Sequence, residues 1–374
     1  MHRPPALDFA TGLALAAVLA YLTALSLHWE EVGVTPEAYV GVLRDHEVLE
    51  WSVNAAKWKT ILARDPQCAS ACTFILGSSR VAEVDRNVLG ARTDVCNLSV
   101  GGLDLRTLLQ ISRALAPAMP GERQTVYLGL DHFLFWLEQR PALWRAAPRP
   151  LVDALHLFAP LAHLTPGELL RAASTWGSHH QSRRFEDRPV LFYPDGHIFT
   201  PQYYAAKFQG QVERVESRSL ALAAQVTFPE SVRLEPRNVR AFRETLGVLR
   251  AKGYRLHLFW NPLVPAYFAR VRHRATDLFM ATIDSVERVV REESVEGYAG
   301  ADGGLDASRF GCTDADYIDA IHVDIDCLSR YFRAVLGNHA DMGEVSLSRL
   351  VFAMRQREYN AQLTMGRPKA GANR

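Results

Sequence analysis

The sequence TFILGSSRVAEVD, residues 73–85, joins a short apolar run to a glycine, two serines and an arginine. A run of this kind that ends at a glycine-containing turn is typical of a buried strand. The two small hydroxyl residues then have two explanations. They form an ordinary strand-to-helix turn in which a serine caps the helix, or they place a nucleophile at the carboxyl end of the strand.

Three further short runs also predict buried strands, at residues 95–100, 125–130 and 255–260. Helical patterns are predicted at residues 102–115, 236–252 and 275–291. Strands that alternate with helices indicate βαβ units and a parallel sheet. We therefore predict an α/β fold with a mainly parallel sheet.

The rest of the 374-residue chain is divided by composition. We predict a short N-terminus at 1–8, an anchor at 9–27, a linker helix region at 28–72, a body at 73–340 and a C-terminal helix and tail at 341–374. A long insert rich in proline, histidine and aromatics, residues 138–234, separates the third and fourth strands. We interpret it as a cap over the site or as a smaller subdomain.

The predicted anchor, residues 9–27, contains no charged residue. A helix of that length crosses the hydrocarbon core of a bilayer. Arg3 precedes it and Glu30 and Glu31 follow, so the positive-inside bias keeps the N-terminus in the cytoplasm. We expect a single-pass protein of the inner (cytoplasmic) membrane whose body is extracytoplasmic, in the periplasm. A cleaved signal peptide is the alternative.

Charge and cysteine content narrow the function further. Lys and Arg total 42 and Asp and Glu total 41, which excludes general electrostatic attraction to nucleic acid. No spacing of zinc ligands occurs, and we expect no metal and no cofactor. The five cysteines permit disulfides in an exported domain, or are all buried thiols. Connectivity cannot be deduced from sequence, although Cys68/Cys72 and Cys312/Cys327 are nearest in the chain.

Candidate site residues follow the predicted strands, because open parallel sheets bind ligands beyond the carboxyl ends of their strands. Near the C-terminus, Asp319 and His322 lie three residues apart. On a helical turn this spacing puts both side chains on one side, where the carboxylate can orient the imidazole. A serine on the first strand would thereby gain a base and an orienting acid. The strand ends supply Ser79, Gly102, Asp131, His132 and Asn261.

These groups of candidate residues, in their order along the chain, resemble the sequence blocks of the SGNH (GDSL-type) hydrolase superfamily. The nucleophile block is similar to Gly77-Ser78-Ser79, and the terminal Asp-x-x-His block is similar to Asp319 and His322. The resemblance implies a three-layer α/β/α fold (SGNH/flavodoxin-like), with Ser79 as nucleophile, His322 as base and Asp319 as its orienting acid. It also implies an oxyanion hole formed by the N–H groups of Ser79 and Gly102.

One position departs from that family. Asp131 stands where the third block of the family has an Asn that donates to the oxyanion. An anchored chain with a Gly-Ser-Ser nucleophile and this departure resembles the membrane-anchored members that act in alginate or exopolysaccharide O-acetylation and in teichoic-acid D-alanyl transfer. That resemblance implies acyl transfer to a glycan acceptor, with a membrane-bound O-acyltransferase as partner.

Several alternatives stay open at this point. The same residues would serve an acetyl esterase, and Asp131 would suit a catalytically inactive glycan-binding or scaffold subunit. Arg80 either meets an acidic group of the substrate or is an exposed residue at a helix start. His132 is an alternative base, and Asp131 has a structural interpretation beside the catalytic one.

Overall fold

The computed structural model describes residue 40 and residues 55–90, 94–121, 124–138, 184–188, 190–210, 232–265, 268–269, 273, 276–301, 305–313, 316–318, 322–336 and 346–365. The predicted anchor at 9–27 lies outside these residues. Within them, no helix combines the length and the apolar character needed to cross a bilayer.

The described residues form an α/β fold around a five-stranded sheet. Its strands are β1 (Thr73–Leu76), β2 (Val95–Asn97), β3 (Thr125–Leu130), β8 (Arg255–Trp260) and β9 (Gly297–Tyr298). Their spatial order is β2-β1-β3-β8-β9, and every pairing between them is parallel. The first strand, β1, therefore lies inside the sheet, and the direction of winding reverses between β1 and β3. Ligands of open α/β sheets bind at such a switch point.

Short antiparallel pairs lie outside this sheet. The strand β4 (Trp136–Glu138) pairs with β7 (Val232–Leu234), and β5 (Leu191–Phe192) pairs with β6 (Ile198–Phe199). The helices are α1 (Ala55–Leu62), α2 (Pro66–Ala69), α3 (Arg86–Leu89), α4 (Leu105–Ala114), α5 (Pro201–Phe208), α6 (Pro236–Ala251), α7 (Thr276–Glu292), α8 (Ile325–Leu336) and α9 (Leu347–Met365). Short 3₁₀ turns occupy Ser79–Val81, His132–Phe135, Phe185–Asp187 and Ala307–Phe310.

Helix boundaries follow from capping residues. Asp104 accepts a hydrogen bond from the N–H of Thr107 and begins α4. Glu235 caps α6, whose first residue is Pro236, a position where the missing N–H costs nothing. Asp85 begins α3, and Gly90 ends it in the left-handed conformation that glycine adopts without strain.

The parallel-sheet prediction is confirmed, and three strands match their predicted bounds at 73–76, 125–130 and 255–260. The four residues of β1 are all buried, as an unbroken apolar run requires. The predicted second strand is shorter than expected. Regular pairing stops at Asn97, and only an isolated bridge between Ser78 and Val100 continues it.

The described part of the insert, residues 184–188 and 190–210, packs onto the body beside the edge strand β2. Asn97 N donates to Asp195 O at 2.7 Å, and Ile198 N donates to Ala82 O at 2.9 Å. Lys59, on α1, donates to the Gly196 carbonyl. This part of the insert therefore contacts the end of β2, the segment after the turn that follows β1, and α1.

Two disulfides form among the five cysteines. Cys312 pairs with Cys327, while Cys68 pairs with Cys96 rather than with its sequence neighbour Cys72. The alternative of five unpaired thiols is therefore wrong, and Cys72 is the thiol left over. Cys68–Cys96 ties α2, just before β1, to the edge strand β2.

Candidate active site

The structure brings together Ser79 and His322, two residues 243 positions apart in the chain. The distance between Ser79 Oγ and His322 Nε2 is 2.7 Å, which is a hydrogen bond. Both side chains are partly exposed, so a substrate can reach them. For Ser79 to donate to Nε2, the imidazole must carry its proton on Nδ1. The pair then has the arrangement of a nucleophile and its general base.

The turn after β1 explains why Ser79, and not Ser78, faces the histidine. Gly77 has φ +148°, a conformation that side chains rarely adopt. A Cβ on Gly77 would lie 2.9 Å from Val81 Cγ2 and 3.1 Å from the Gly129 carbonyl, so only glycine fits. Ser78 is buried and caps the following 3₁₀ turn, accepting from the N–H of Arg80. Ser79 begins that turn and remains accessible.

The backbone of His322 is held by pairing with residues that precede it, while residues 319–321 of the predicted helical turn lie outside the described residues. Ile318 N donates to His322 O at 2.7 Å, and Tyr317 forms an antiparallel bridge with Val323. The helix α8 begins only at Ile325. Asp319, the predicted orienting acid, lies outside the described residues.

Asp324 fixes the end of this segment. Its carboxylate accepts from Cys327 N at 2.9 Å and so caps α8. Lys207, on α5, donates to the same carboxylate. Burial raises the pKa of the Asp324 carboxyl to about 6, against the opposing effect of Lys207. Asp324 is therefore a buried capping residue.

Asp131 lies behind the nucleophile turn, where its charge is compensated. Arg80 Nη1 donates to Asp131 Oδ1 at 2.7 Å, and Ser78 Oγ donates to Oδ2 at 2.5 Å. Asn261 Nδ2 donates to Oδ2 at 3.1 Å. Because both carboxylate oxygens accept hydrogen bonds and a guanidinium balances the charge, Asp131 holds the turn in place.

Both interpretations of Arg80 in the sequence are corrected. The guanidinium is buried, paired with Asp131, and donates from Nη2 to the Pro262 carbonyl at 2.7 Å. It is neither exposed nor directed at an acidic substrate. Asn261 is also buried, packed so closely over Gly129 that a Cβ there would lie 2.7 Å from Asn261 Oδ1.

His132 is buried among aromatic rings and does not share the exposure of Ser79. Its ring centroid lies 4.7 Å from that of Trp136 and 5.6 Å from that of Phe279. Burial, helped by the positive charge of Arg80, lowers the pKa of His132 to about 3. The ring is therefore neutral at physiological pH and packs in the core.

The glycine turn after β2 borders the nucleophile. Val100 N donates to Gly77 O at 2.9 Å, which holds this turn beside Ser79. A Cβ built on Gly101 would lie 3.9 Å from Ser79 Cβ. Gly102, the predicted oxyanion residue, follows with φ +65° and an open surrounding. Gly101 is thus a neighbour of the nucleophile, although only Gly102 was predicted for the site from this turn.

Asn97, the last residue of β2, is a second residue that was not predicted for the site. Its side chain is fully buried and donates to the carbonyls of Val81 and Val84, each at 2.8 Å. Its Oδ1 accepts from the N–H and the hydroxyl of Ser99. The amide therefore ties the segment after Ser79 to the turn after β2.

A buried network connects the nucleophile side to the histidine side. Tyr204 Oη donates to Glu83 Oε2 at 2.6 Å and accepts from Ile325 N, the first residue of α8, at 3.0 Å. Thr200 also donates to Glu83. Burial raises the pKa of the Glu83 carboxyl to about 7, despite the hydrogen bonds from Thr200 and Tyr204. The insert helix α5 thus bridges the two segments that hold Ser79 and His322.

Within the described residues, no group of three or more His, Cys, Asp or Glu side chains is arranged to hold a metal ion. The sequence matches no protein-family model, and no curated protein is significantly similar to it.

Proposed function

We propose that the chain is an exported, membrane-anchored SGNH-like serine acyltransferase that acts in O-acetylation of an exopolysaccharide or another cell-envelope glycan. The observation that carries the proposal is the 2.7 Å contact between Ser79 Oγ and His322 Nε2. It lies beyond the carboxyl end of β1, beside the switch point of the sheet, where ligands of such sheets bind.

The strand order supports the SGNH-like part of the proposal. Numbered along the sheet strands alone, the order is 2-1-3-4-5, which is that of doubly wound, flavodoxin-like folds. The order of the site residues along the chain also agrees with the resemblance. The glycine-serine turn comes first, then the glycine turn after β2, then His322. The three-layer arrangement, the anchor and the periplasmic location belong to the same proposal.

In the first half of the reaction, Ser79 Oγ attacks the carbonyl carbon of an acyl donor while His322 Nε2 takes the serine proton. The N–H groups of Ser79 and Gly102 hold the oxyanion of the tetrahedral intermediate. When the intermediate collapses, the donor's leaving group takes the proton from His322. The product is an acyl-serine ester, and Asp319 keeps the imidazole in the required tautomer throughout.

In the second half, a sugar hydroxyl gives its proton to His322 and attacks the acyl-serine carbonyl. Collapse of this second intermediate returns the proton to Ser79 Oγ and releases the acylated sugar. The acyl group is acetyl, delivered by a membrane-bound O-acyltransferase. No metal or cofactor takes part in these steps.

Two other functions share the site. An acetyl esterase would use water in place of the sugar hydroxyl. An inactive glycan-binding or scaffold subunit was suggested by Asp131, which would repel an oxyanion if its charge faced the substrate. The pairing of Asp131 with Arg80 removes that objection to catalysis, and so favours the enzyme.

The test is covalent labelling of the full-length protein with a fluorophosphonate, followed by intact mass and peptide mapping. We expect one adduct, on Ser79, that is absent from Ser79→Ala and forms at least 100-fold more slowly in His322→Ala. Ser70→Ala is the matched control, because Ser70 is exposed and bonds only within its own turn.

Transfer is distinguished from hydrolysis with 4-nitrophenyl acetate as donor. Acetylated oligosaccharide found by mass spectrometry, formed at the expense of free acetate, supports the transferase. Acetate alone, at any acceptor concentration, supports the esterase. A folded protein that gives neither an adduct nor turnover would support the inactive subunit.

A further inference from the structure

Lys207, on the insert helix α5, lies at the base of the chain segment that carries His322. Its ammonium group donates a hydrogen bond to the Asp324 carboxylate. Nζ also lies 3.7 Å from Asp326 Oδ2 and 3.8 Å from Asp316 Oδ1. Asp316 precedes His322 in the chain, whereas Asp324 and Asp326 follow it. One lysine therefore contacts both ends of the segment that delivers the proposed base.

The carboxylates around Lys207 require a cation at this position. Asp324 is fully buried, and Asp316 and Asp326 are mostly buried. Although burial opposes the effect, these three carboxylates raise the pKa of Lys207 above its usual value, so its ammonium group is charged at neutral pH. Asp316 has a second cation, Arg330, at 2.9 Å. Among the described residues, no other Lys or Arg pairs with Asp324.

The helix that carries Lys207 is also attached to the nucleophile side of the site. Tyr204, one turn earlier, donates to Glu83 Oε2 at 2.6 Å and accepts from Ile325 N at 3.0 Å. Glu83 follows the 3₁₀ turn that Ser79 begins. Because Tyr204 and Lys207 are three residues apart, both lie on one side of the helix. That side of α5 therefore contacts the segment after the nucleophile and the segment that carries the base.

Two other contacts hold the base segment in different ways. The Cys312–Cys327 disulfide closes the segment on itself. Tyr317 Oη donates to the Leu263 carbonyl at 2.7 Å and attaches the segment to the β8 side of the sheet. The α5 contacts attach it to the β1 side, where Ser79 lies. Loss of the Lys207 contact should therefore leave the segment closed and folded while its base shifts relative to the serine.

We propose that Lys207 is a positioning residue that acts through His322 and holds the base within hydrogen-bond distance of Ser79 Oγ. The catalytic meaning of this role rests on the proposed function. The contact between the base and the serine is 2.7 Å long, and proton transfer between the two groups needs that distance. A displacement of about 1 Å costs about 100-fold in rate. The insert would thus supply a residue that aligns the catalytic pair.

The kinetic test is fluorophosphonate labelling of the full-length protein in detergent, resolved into the maximal labelling rate kinact and the reversible binding constant KI. We expect Lys207→Met to lower kinact about 10- to 100-fold, because the base is displaced. KI should stay nearly unchanged, because the surface that binds the probe is intact. Lys207→Arg keeps a cation with several donors and should recover most of the rate.

Lys252→Met is the matched control. Lys252 lies at the end of α6, just before β8, and donates to the carbonyls of Arg113 and Leu115. Its loss removes the same type of side chain from the amino end of the sheet, so stability should fall and kinact should not. Equal losses of kinact in Lys207→Met and Lys252→Met would contradict a positioning role.

A double variant separates positioning from stabilisation. Lys207→Met leaves the Asp324 carboxylate buried without its cation, which destabilises the fold. Adding Asp324→Asn removes that charge and should restore much of the stability. The base segment still lacks its Lys207 attachment, so labelling should stay slow. Labelling that recovers together with stability in the double variant would show that Lys207 only stabilises the fold, and would overturn the proposal.

A readout without chemistry keeps this inference separate from the proposed acyltransferase. Imidazole ¹⁵N NMR of histidine-labelled protein reports the hydrogen bond at His322 Nε2, with the signal assigned by its absence from His322→Gln. Lys207→Met should change this signal in the same direction as Ser79→Ala, which removes the hydroxyl. An unchanged signal, or an unchanged kinact, in folded Lys207→Met would overturn the proposal. If wild-type protein is never labelled but the signal responds to Lys207→Met, the acyltransferase is wrong and the positioning role stands.

Discussion

Arg80 and Asp131 form a buried ion pair directly behind the nucleophile turn, with Nη1 and Oδ1 2.7 Å apart and both side chains almost fully removed from solvent. The pair joins the turn after β1 to the end of β3. Because Arg80 also reaches the Pro262 carbonyl after β8, one guanidinium connects three neighbouring strand ends. The position of Ser79 depends on that connection.

Arg80→Met is expected to lower the free energy of unfolding by about 3–5 kcal/mol, because it leaves the Asp131 carboxylate buried without its counter-charge. The double variant with Asp131→Asn should lose less than the sum of the two single variants. Urea unfolding measures both. Arg113→Ala is the matched control, since its partner Glu244 is exposed and the loss should stay below about 1 kcal/mol. Additive losses at residues 80 and 131 would contradict the coupling.

Asn97→Ala is expected to cost about 2–4 kcal/mol, because it leaves the carbonyls of Val81 and Val84 buried without donors. It should also slow fluorophosphonate labelling of Ser79 in the protein that remains folded. Asn238→Ala removes a single, partly exposed bond to the Leu134 carbonyl and should cost about 1 kcal/mol with no change in labelling. Equal effects of the two variants would show that Asn97 does not position the turn.

Stability should fall as the pH rises through the range in which Glu83 titrates. The ordinary pKa of this carboxyl is 4.5 and burial raises it to about 7, so between these values the folded protein binds the proton that the unfolded chain has lost. The free energy of unfolding therefore decreases with pH in this window, by on the order of 3 kcal/mol for this group.

Glu83→Gln removes that titration while keeping an acceptor for Thr200. Urea unfolding at pH 4.5, 6 and 8 should show a flatter pH dependence for Glu83→Gln than for wild type, with the difference largest at pH 8. Glu244→Gln, at an exposed site, should reproduce the wild-type slope. Parallel curves for wild type and Glu83→Gln would mean that the Glu83 carboxyl is already ionised at acidic pH.

Gly101→Val is expected to reduce labelling of Ser79 by about 10-fold or more while leaving stability nearly unchanged. The Cβ would lie 3.9 Å from Ser79 Cβ, and the added methyl groups would narrow the approach to the hydroxyl. Gly102→Ala should lower stability and leave labelling of Ser79 nearly unchanged. The added Cβ meets no neighbour, but an alanine at φ +65° should cost about 1 kcal/mol of stability. Stopped-flow labelling and thermal unfolding of both variants check the pair.

The sequence was informative where local chemistry decides the structure. Residues 73–76 are buried throughout, and residues 125–130 and 255–260 are buried along their last three positions, as strands inside a parallel sheet require. Strand prediction of this kind needs only short stretches of chain and the geometry of a parallel sheet. The pairing of Ser79 with His322 was expected on another basis, the Asp-x-x-His spacing and the order of the sequence blocks, and the two side chains lie in contact.

Sequence reasoning failed where a residue's environment comes from distant parts of the chain. Arg80 was expected at an exposed helix start or beside an acidic group of the substrate, yet Asp131, 51 residues later, makes it part of a buried ion pair. The bond from Ile318 N to His322 O was likewise not predicted from the spacing of Asp319 and His322. Likewise, nothing near Cys68 indicated that Cys96 would be its partner.

The hydrogen bonds from the insert to the segment after Ser79 determine when the site can form during synthesis. Ala82 and Glu83 take partners from residues 198–204, and the base arrives only at His322. Contacts so distant in sequence close late in folding and slow it. The serine would therefore stay without its base until almost the whole chain has emerged, and a truncated or still-growing chain would have no activated nucleophile with which to acylate itself.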